Sequence, residues 1–202
     1  MKKLLITLAL LISAVSFGQT AKEYFFSGSD KAEANDHNGA VADFTKAIEL
    51  NPDKNNLAAA YYNRGISKDD LKDFYGAISD FNKAIEINPN YANAYNNRGL
   101  SKHNLKDFNG AISDYNKAIE LDPNDADAYY NRGISKDDLK DFYGAISDYN
   151  KAIELNPNLT QAYYNRGISK YYTNDLNGAC EDAKKSASLG YDASKLIEAA
   201  CN

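Results

Sequence analysis

Apolar residues recur along this chain at the spacing of amphipathic helices. Between Ala77 and Ile85 they fall at i, i+1, i+4, i+7 and i+8, which is one face of an α-helix. Asp73 stands just ahead of this pattern, where a helix N-cap belongs, and Pro89 follows it, where the helical hydrogen bonds must stop. The pattern predicts a helix that begins after Asp73 and ends before Pro89.

The preceding half of this segment carries a second packed face, marked by Tyr61, Gly65 and Leu71. Glycine inside a helix costs about 1 kcal/mol relative to alanine, so Gly65 needs a compensating role. A position without a side chain lets a neighbouring helix approach closely, and Ala77 and Ala84 would serve the same end on that neighbour. We therefore expect two helices packed closely against each other.

This helix pair is repeated in register. Residues 61–90 return at 129–158 with two differences, Phe81 to Tyr149 and Ile87 to Leu155. Matching positions lie 34 residues apart: Gly65, Gly99, Gly133 and Gly167; Ala77, Ala111, Ala145 and Ala179; Pro89, Pro123 and Pro157. A single helix pair cannot bury its apolar face alone, so such units stack to form one continuous core.

The glycine, the two alanines, the aromatic residue four positions before the glycine and the closing proline resemble the tetratricopeptide repeat. The resemblance covers about residues 21–189. It implies an all-α fold, an α-solenoid of stacked antiparallel helix pairs in a right-handed superhelix. The expected array spans 19–191, with repeats at about 21–54, 58–91, 92–125, 126–159 and 160–190.

Two positions depart from the family pattern. The family usually has a bulky apolar residue just before the glycine and an aromatic residue three positions after it. Both are basic here: Arg64, Arg98, Arg132 and Arg166, then Lys68, Lys102, Lys136 and Lys170. An unpaired buried charge is costly, and each second helix carries an aspartate, so we expect arginine–aspartate bridges. The sequence leaves open a bridge within a unit (Arg64–Asp80) or between units (Asp43–Arg64).

In the tetratricopeptide family the first helices of successive repeats line a concave groove that binds a segment of a partner protein. The resemblance places these residues in the groove: Tyr62, Asn63, Asp69, Asp70, Asn96, Asn97, His103, Tyr130, Asn131, Asp137, Asp138, Tyr164, Asn165 and Tyr171. The asparagines would form a ladder that binds a peptide backbone, or would simply solvate the helices. The aspartates predict a neutral or basic partner segment.

Composition and motifs narrow the function further. The chain has 202 residues and a formal net charge of −5, without the basic surface that nucleic acid requires. It carries no catalytic, metal-binding or cofactor motif, and its two histidines, His37 and His103, are isolated. We expect a non-catalytic scaffold that binds a protein or peptide. The alternative is a carbohydrate-binding protein that stacks sugar rings on Tyr130, Tyr164, Tyr171 and Tyr172.

The first residues follow a different pattern. Lys2 and Lys3 precede an apolar stretch at 4–15, and small residues follow at Ser16 and Gly18. This arrangement is typical of a secretory signal peptide, and the stretch is shorter than the ~20 residues of a membrane-spanning helix. We expect residues 1–18 to be a signal peptide and the protein to be periplasmic or secreted, without stable membrane insertion after cleavage.

The C-terminal residues predict a cap that is closed by a disulfide. Apolar residues at helical spacing follow Asp192, so we expect a capping helix within 192–202. A helix hairpin that turns near Gly190 would bring Cys180 and Cys201 side by side, and an oxidising compartment would let them bond. The alternative is two free thiols or a redox pair.

Overall fold

The computed structural model of the protein describes residues 20–50 and 53–201. The predicted signal peptide, residues 1–18, lies outside the described residues. Within the described ranges the secondary structure is helical, without strands. The helices are α1 (20–33), α2 (His37–Leu50), α3 (Lys54–Asp70), α4 (Phe74–Ile87), α5 (Ala92–Asn104), α6 (Phe108–Leu121), α7 (Ala126–Asp138), α8 (Phe142–Leu155), α9 (Thr160–Tyr172), α10 (Leu176–Ser188) and α11 (Ser194–Ala200).

Among the described residues, consecutive helices pack against each other within two compact units, which divide after Ser101. In unit 1, α3 packs against α4 and also against α2, the second helix of the preceding pair. In unit 2, α7 packs on α8 and α9 on α10, while α6 contacts α7 and α8 contacts α9. The fold class expected from the sequence, an all-α fold of stacked helix pairs, is confirmed.

The turn between the two helices of a pair is built from an aspartate and the residue before it. The Asp73 carboxylate accepts a hydrogen bond from the backbone N–H of Gly76 at 3.0 Å, which caps α4 as predicted. Lys72 takes the left-handed conformation, with φ of 64°, so the chain reverses within three residues. The same arrangement begins α6, α8 and α10, with Asp107, Asp141 and Asp175 as the caps.

Close approach explains the glycine inside each first helix. A Cβ atom added to Gly65 would lie 2.7 Å from a ring carbon of Phe81, and one added to Gly133 would lie 2.6 Å from Tyr149. These aromatic rings are fully buried and fill the space between the two helices. The atoms nearest to this position of Gly65 are ring carbons of Phe81, so the glycine makes room for a side chain of the partner helix α4.

The last helix pair is closed by the short helix α11. Ala183 stands where the other pairs have an aromatic ring, and Leu196 of α11 supplies the missing volume: its Cδ2 lies 2.9 Å from the Cβ position of Gly167. The cysteine sulfurs of Cys180 and Cys201 form a disulfide, with Cα atoms 5.0 Å apart, as predicted. The predicted cap helix begins at Ser194, two residues after Asp192.

Candidate functional site

Arginine–aspartate bridges hold the two helices of a repeat together. The Arg64 guanidinium donates to both carboxylate oxygens of Asp80, at 2.7 and 2.8 Å. Arg132 and Arg166 bind Asp148 and Asp182 in the same two-pronged geometry. Asp43 instead accepts hydrogen bonds from Lys31 and Ser27, both at 2.6 Å. The sequence left open a pairing within one repeat or between two repeats. The pairing observed is within one repeat, between Arg64 and Asp80.

The lysine that replaces the family aromatic residue shares the same aspartate. Lys68 Nζ lies 2.7 Å from Asp80, and equivalent pairs join Lys102 to Asp114, Lys136 to Asp148 and Lys170 to Asp182. In the repeats of Asp80, Asp148 and Asp182 one buried carboxylate therefore contacts both an arginine and a lysine of the first helix, and we call each such trio a charge clamp.

The clamp arginine also joins one repeat to the preceding one. Arg132 Nη1 donates to Asn116 of α6 at 2.7 Å, and Arg166 Nη1 donates to Asn150 of α8 at 2.7 Å. The Arg132 guanidinium lies over the ring of Tyr129, 5.4 Å from its centroid. These arginines are thus structural, and their donors are taken up inside the fold.

In unit 1 the face formed by α3 and α5 carries several of the predicted groove residues, and we call it the unit 1 face. Asn97 Nδ2 donates to the Tyr62 hydroxyl at 2.8 Å, so these two side chains link neighbouring repeats. Asp69 accepts a hydrogen bond of 2.5 Å from the buried Ser101 hydroxyl. Burial raises the pKa of the Asp69 carboxyl, and the adjacent Asp70 is exposed.

In unit 2 the face formed by α7 and α9, the unit 2 face, repeats these contacts. Asn165 Nδ2 donates to the Tyr130 hydroxyl at 3.1 Å. Asp137 accepts from Ser169 at 2.8 and 2.9 Å and from the Tyr149 hydroxyl at 2.7 Å. Burial raises the pKa of the Asp137 carboxyl, although both hydroxyl donors lower it. The carboxylate is held by neutral donors, which leave its charge uncompensated.

His103 is not an isolated side chain in the fold. Its Nδ1 atom lies 3.0 Å from the Ser135 hydroxyl, and its Nε2 atom lies 3.6 Å from an oxygen of Asp138. The ring also packs against Phe108, with centroids 5.2 Å apart. Within unit 2, His103 therefore contacts the last turn of α7.

The predicted groove residues differ in how far their side chains are exposed. Asn97 and Asn165 are engaged with tyrosine hydroxyls, and Tyr164 packs on Tyr191 with ring centroids 4.7 Å apart. The side chains of Asn63, Asn96 and Asn131 are half-buried on the first helices. The exposed members are Asp70, Asp138 and Tyr171.

Sequence reasoning missed two parts of these faces. One part is a set of completely buried serines, each hydrogen-bonded to a residue near the end of the preceding first helix: Ser101, Ser135 and Ser169. The only signal for these serines in the sequence is their recurrence two positions after each glycine. Phe142 at the start of α8 was also missed, although its ring stacks on the ring of Tyr172.

Unit 1 contains a cavity of about 270 Å³ between α1 and α3. Its walls are mostly apolar, with one cation and one amide. The lining residues are Ala21, Lys22, Phe25, Phe26, Ala47, Asn56 and Ala60.

Family comparison agrees with this architecture. A tetratricopeptide repeat model matches residues 58–91 and 126–159, and a second model, described as TPR repeat, matches residues 102–135. Two further tetratricopeptide models match residues 31–54 and 81–113. The chain belongs to the tetratricopeptide repeat family. Comparison with curated protein sequences finds no significant match.

Several solved structures share the fold over most of the chain. A crystal structure of MamA is 25% identical with a TM-score of 0.75, and the match covers 88% of this chain and 96% of MamA. YrrB, described as a TPR protein with an unusual peptide-binding site, is 23% identical with a TM-score of 0.72, covering 92% and 98% of the two chains. PilF of Pseudomonas aeruginosa is 18% identical with a TM-score of 0.79, covering 91% and 82%.

Residues 20–50 and 53–201 contain neither a membrane-spanning helix nor a metal-binding cluster. None of the helices in these ranges is both long and apolar enough to cross a membrane. No group of three or more histidine, cysteine, aspartate or glutamate side chains in these ranges could hold a metal ion.

Proposed function

We propose that this tetratricopeptide repeat protein is an exported, non-catalytic scaffold that binds a neutral or basic peptide segment of a partner on its first-helix faces. The charge balance of those helices carries the proposal. On α7, Arg132 and Lys136 are both paired with the buried Asp148, whereas Asp137 accepts hydrogen bonds from the Ser169 and Tyr149 hydroxyls and Asp138 lies 3.6 Å from His103. The basic side chains are thus internal and the acidic ones remain on the face.

The unit 1 face has the same balance. Arg64 and Lys68 are paired with Asp80, and Asp69 and Asp70 follow them at the end of α3. A segment that carries positive charge would compensate these carboxylates, and an acidic segment would be repelled. The related fold of YrrB, whose description names a peptide-binding site, supports a peptide as the ligand class.

Export is the second element of the proposal. Residues 1–18 have the pattern of a signal peptide, and the Cys180–Cys201 disulfide suits an oxidising compartment. Periplasmic and secreted locations are both compatible with these observations.

The alternative of carbohydrate binding depends on a platform of four tyrosines. Tyr130 is hydrogen-bonded to Asn165, and Tyr164 packs on Tyr191, so both rings already have contacts within the fold. Only two of the four, Tyr171 and Tyr172, are exposed. The exposed tyrosine platform is therefore smaller than the sequence suggested, and peptide binding has more support than carbohydrate binding.

A panel of extended peptides tests the proposal. We expect basic and neutral peptides to bind the chain 19–202 and acidic peptides of matched length to bind at least tenfold more weakly, with weaker binding at 0.5 M salt because charges on the faces are screened. Isothermal titration calorimetry provides the affinities. The variants Asp69→Asn/Asp70→Asn and Asp137→Asn/Asp138→Asn should reduce the affinity for basic peptides.

The control variant is Glu86→Gln/Glu154→Gln, which removes two exposed carboxylates from the second helices. It changes the net charge by the same amount and should leave the affinity unchanged. Tightest binding by acidic peptides, or binding by an oligosaccharide array in the absence of any peptide binding, would refute the proposal.

A further inference from the structure

Exposed aromatic rings form a patch in unit 2 where α7 and α9 turn into the helices that follow them. Tyr172 at the end of α9 is 64% exposed, and its ring stacks on Phe142 at the start of α8, with centroids 4.8 Å apart and planes at 14°. Tyr171 meets Tyr172 edge-on at 6.0 Å, and Tyr143 is 76% exposed. We call Phe142, Tyr143, Tyr171 and Tyr172 the aromatic patch.

The rings of the aromatic patch are not among the buried core residues. The aromatic residue that packs the fourth repeat is Tyr149, which is fully buried, whereas Tyr143 and Tyr172 leave most of their surface in solvent. Contiguous exposed apolar surface of this kind marks interaction sites in soluble proteins. The exposed rings of the aromatic patch are therefore accessible to a ligand.

The charge around the patch is acidic. Asp138 ends α7 four residues before Phe142, and its side chain is 45% exposed, with His103 as its contact. Asp141 lies between them in the turn and caps α8, and Lys140 of the same turn offsets one of these two charges. Lys136, the other nearby cation of α7, is paired with Asp148.

The fold itself shows how tyrosine and aspartate together bind arginine. The Arg132 guanidinium lies 5.4 Å from the Tyr129 ring centroid and donates two hydrogen bonds to Asp148. Arg166 lies 5.4 Å from the Tyr163 ring centroid and binds Asp182 in the same way. A planar guanidinium can stack on a ring and bind a carboxylate at the same time, which an ammonium group cannot do equally well.

We propose that the aromatic patch and Asp138 form a subsite for an arginine side chain of the bound partner segment. The guanidinium would lie on the Tyr172 ring and donate to the Asp138 carboxylate, in the combination that the internal clamps use. The inference rests on the proposed peptide-binding function and names the side chain that this end of the unit 2 face selects.

The test uses the chain 19–202 with ¹³C-labelled tyrosine and the capped peptide Ac-Ser-Gly-Arg-Gly-Ser-NH₂. Its comparator carries citrulline, which has nearly the shape of arginine and no charge. We expect the arginine peptide to shift the ring signals of Tyr172 and Tyr143 in NMR titrations and to bind about three- to tenfold more tightly than the citrulline peptide, in line with an exposed cation–π contact and one ion pair. Tyr172→Ala and Asp138→Asn should each remove most of that preference.

Near-identical sequence in unit 1 provides matched controls. Tyr75 is 77% exposed and Asp70 ends α3 as Asp138 ends α7, but the position 34 residues after Asp70 is Asn104 rather than a tyrosine. Tyr75→Ala should therefore leave the arginine preference intact, and so should Glu86→Gln, which removes an exposed carboxylate from the second helix α4. Equal binding of the citrulline peptide, or loss of the preference in the unit 1 variants alone, would overturn the inference.

Two other outcomes separate this inference from the proposed function. If the peptide panel binds but the Tyr172 and Asp138 variants keep the full arginine preference, the subsite is refuted and the scaffold function stands. If chitotetraose shifts the Tyr172 and Tyr143 signals and the peptides do not, the patch binds carbohydrate and the arginine subsite is refuted.

Discussion

Each charge clamp buries one carboxylate between two cations, and this determines which polar residues are left for binding. The Asp148 side chain is 4% exposed and contacts both Arg132 and Lys136. Two cations paired with one carboxylate leave an excess positive charge inside the repeat. The Arg132 guanidinium is stabilised further by its hydrogen bond to the Asn116 oxygen and by its contact with the Tyr129 ring. The clamp thus replaces apolar contacts of the family pattern with a polar network that must be complete to be stable.

Removing the shared carboxylate should be far more damaging than removing the whole clamp. In Asp148→Ala two largely buried cations lose their partner, and we expect the free energy of unfolding to fall by about 3 kcal/mol. Arg132→Leu/Lys136→Tyr/Asp148→Ala restores the residue types of the family pattern and should lie within about 1 kcal/mol of the wild type, because no charge is left unpaired. Urea denaturation followed by circular dichroism gives both values. Equal destabilisation of the two variants would show that the clamp does not act through its charges.

The clamp also shows what sequence could and could not predict at this scale. The need for a partner followed from an arginine in a normally apolar position, so the arginine–aspartate pairing was predictable. The choice of partner was not, because Asp43 and Asp80 were both candidates for Arg64. In the fold Asp43 is neutralised by Lys31 of its own helix pair, and Arg64 pairs with Asp80.

Among the helices, α11 differs from all the others because it stabilises a repeat to which it does not belong. Leu196 occupies the space above Gly167 that Phe81 and Tyr149 occupy in their own repeats. A helix of seven residues is too short to be stable alone. Its position therefore depends on the apolar contact of Leu196 and on the Cys180–Cys201 disulfide.

Loss of either attachment should loosen the end of unit 2 without unfolding the rest. The disulfide closes a loop with a sequence separation of 21 residues, for which chain-entropy arguments give about 3 kcal/mol. In Leu196→Ala, and separately in the reduced protein, we expect amide hydrogen exchange to accelerate in α10 and α11 and to stay unchanged in α7 and α8. Uniform acceleration across all these helices would mean that the cap supports the whole unit rather than its last repeat.

The helices themselves were largely predictable, because the apolar periodicity and the residues that start and stop a helix indicate the same boundaries. The apolar face, the Asp73 cap and the stop before Pro89 located α4, which runs from Phe74 to Ile87. The cap helix was placed by its apolar spacing, but its start at Ser194 was not, since Asp192 precedes the helix by two residues instead of capping it directly. The role of Leu196 could not be foreseen, because it depends on a contact with a helix two elements earlier in the chain.

At the scale of the whole molecule, nearly identical repeats make stability a sum of local terms. The inter-repeat contacts join adjacent repeats: Asn165 bonds to Tyr130 of the preceding repeat, and Arg166 bonds to Asn150 of that same repeat. In such arrays each repeat contributes its own stability and one interface on each side. A segment of 34 residues is then the natural unit of insertion and loss.

Deletion experiments test this additivity. Removing 126–159 joins residue 125 to residue 160 and brings one proline-terminated repeat directly before another first helix, so the remaining repeats keep their register. We expect the helical signal per residue to be unchanged and the melting temperature to fall by several degrees, because one repeat and one interface are lost. Deleting only 126–142 removes a single helix with its turn and leaves α8 residues without a partner helix. That control should lose cooperative melting altogether, since an unpaired amphipathic helix exposes the face that its partner covered. Cooperative melting of the half-repeat deletion, or collapse of the full-repeat deletion, would contradict a stack of interchangeable helix pairs.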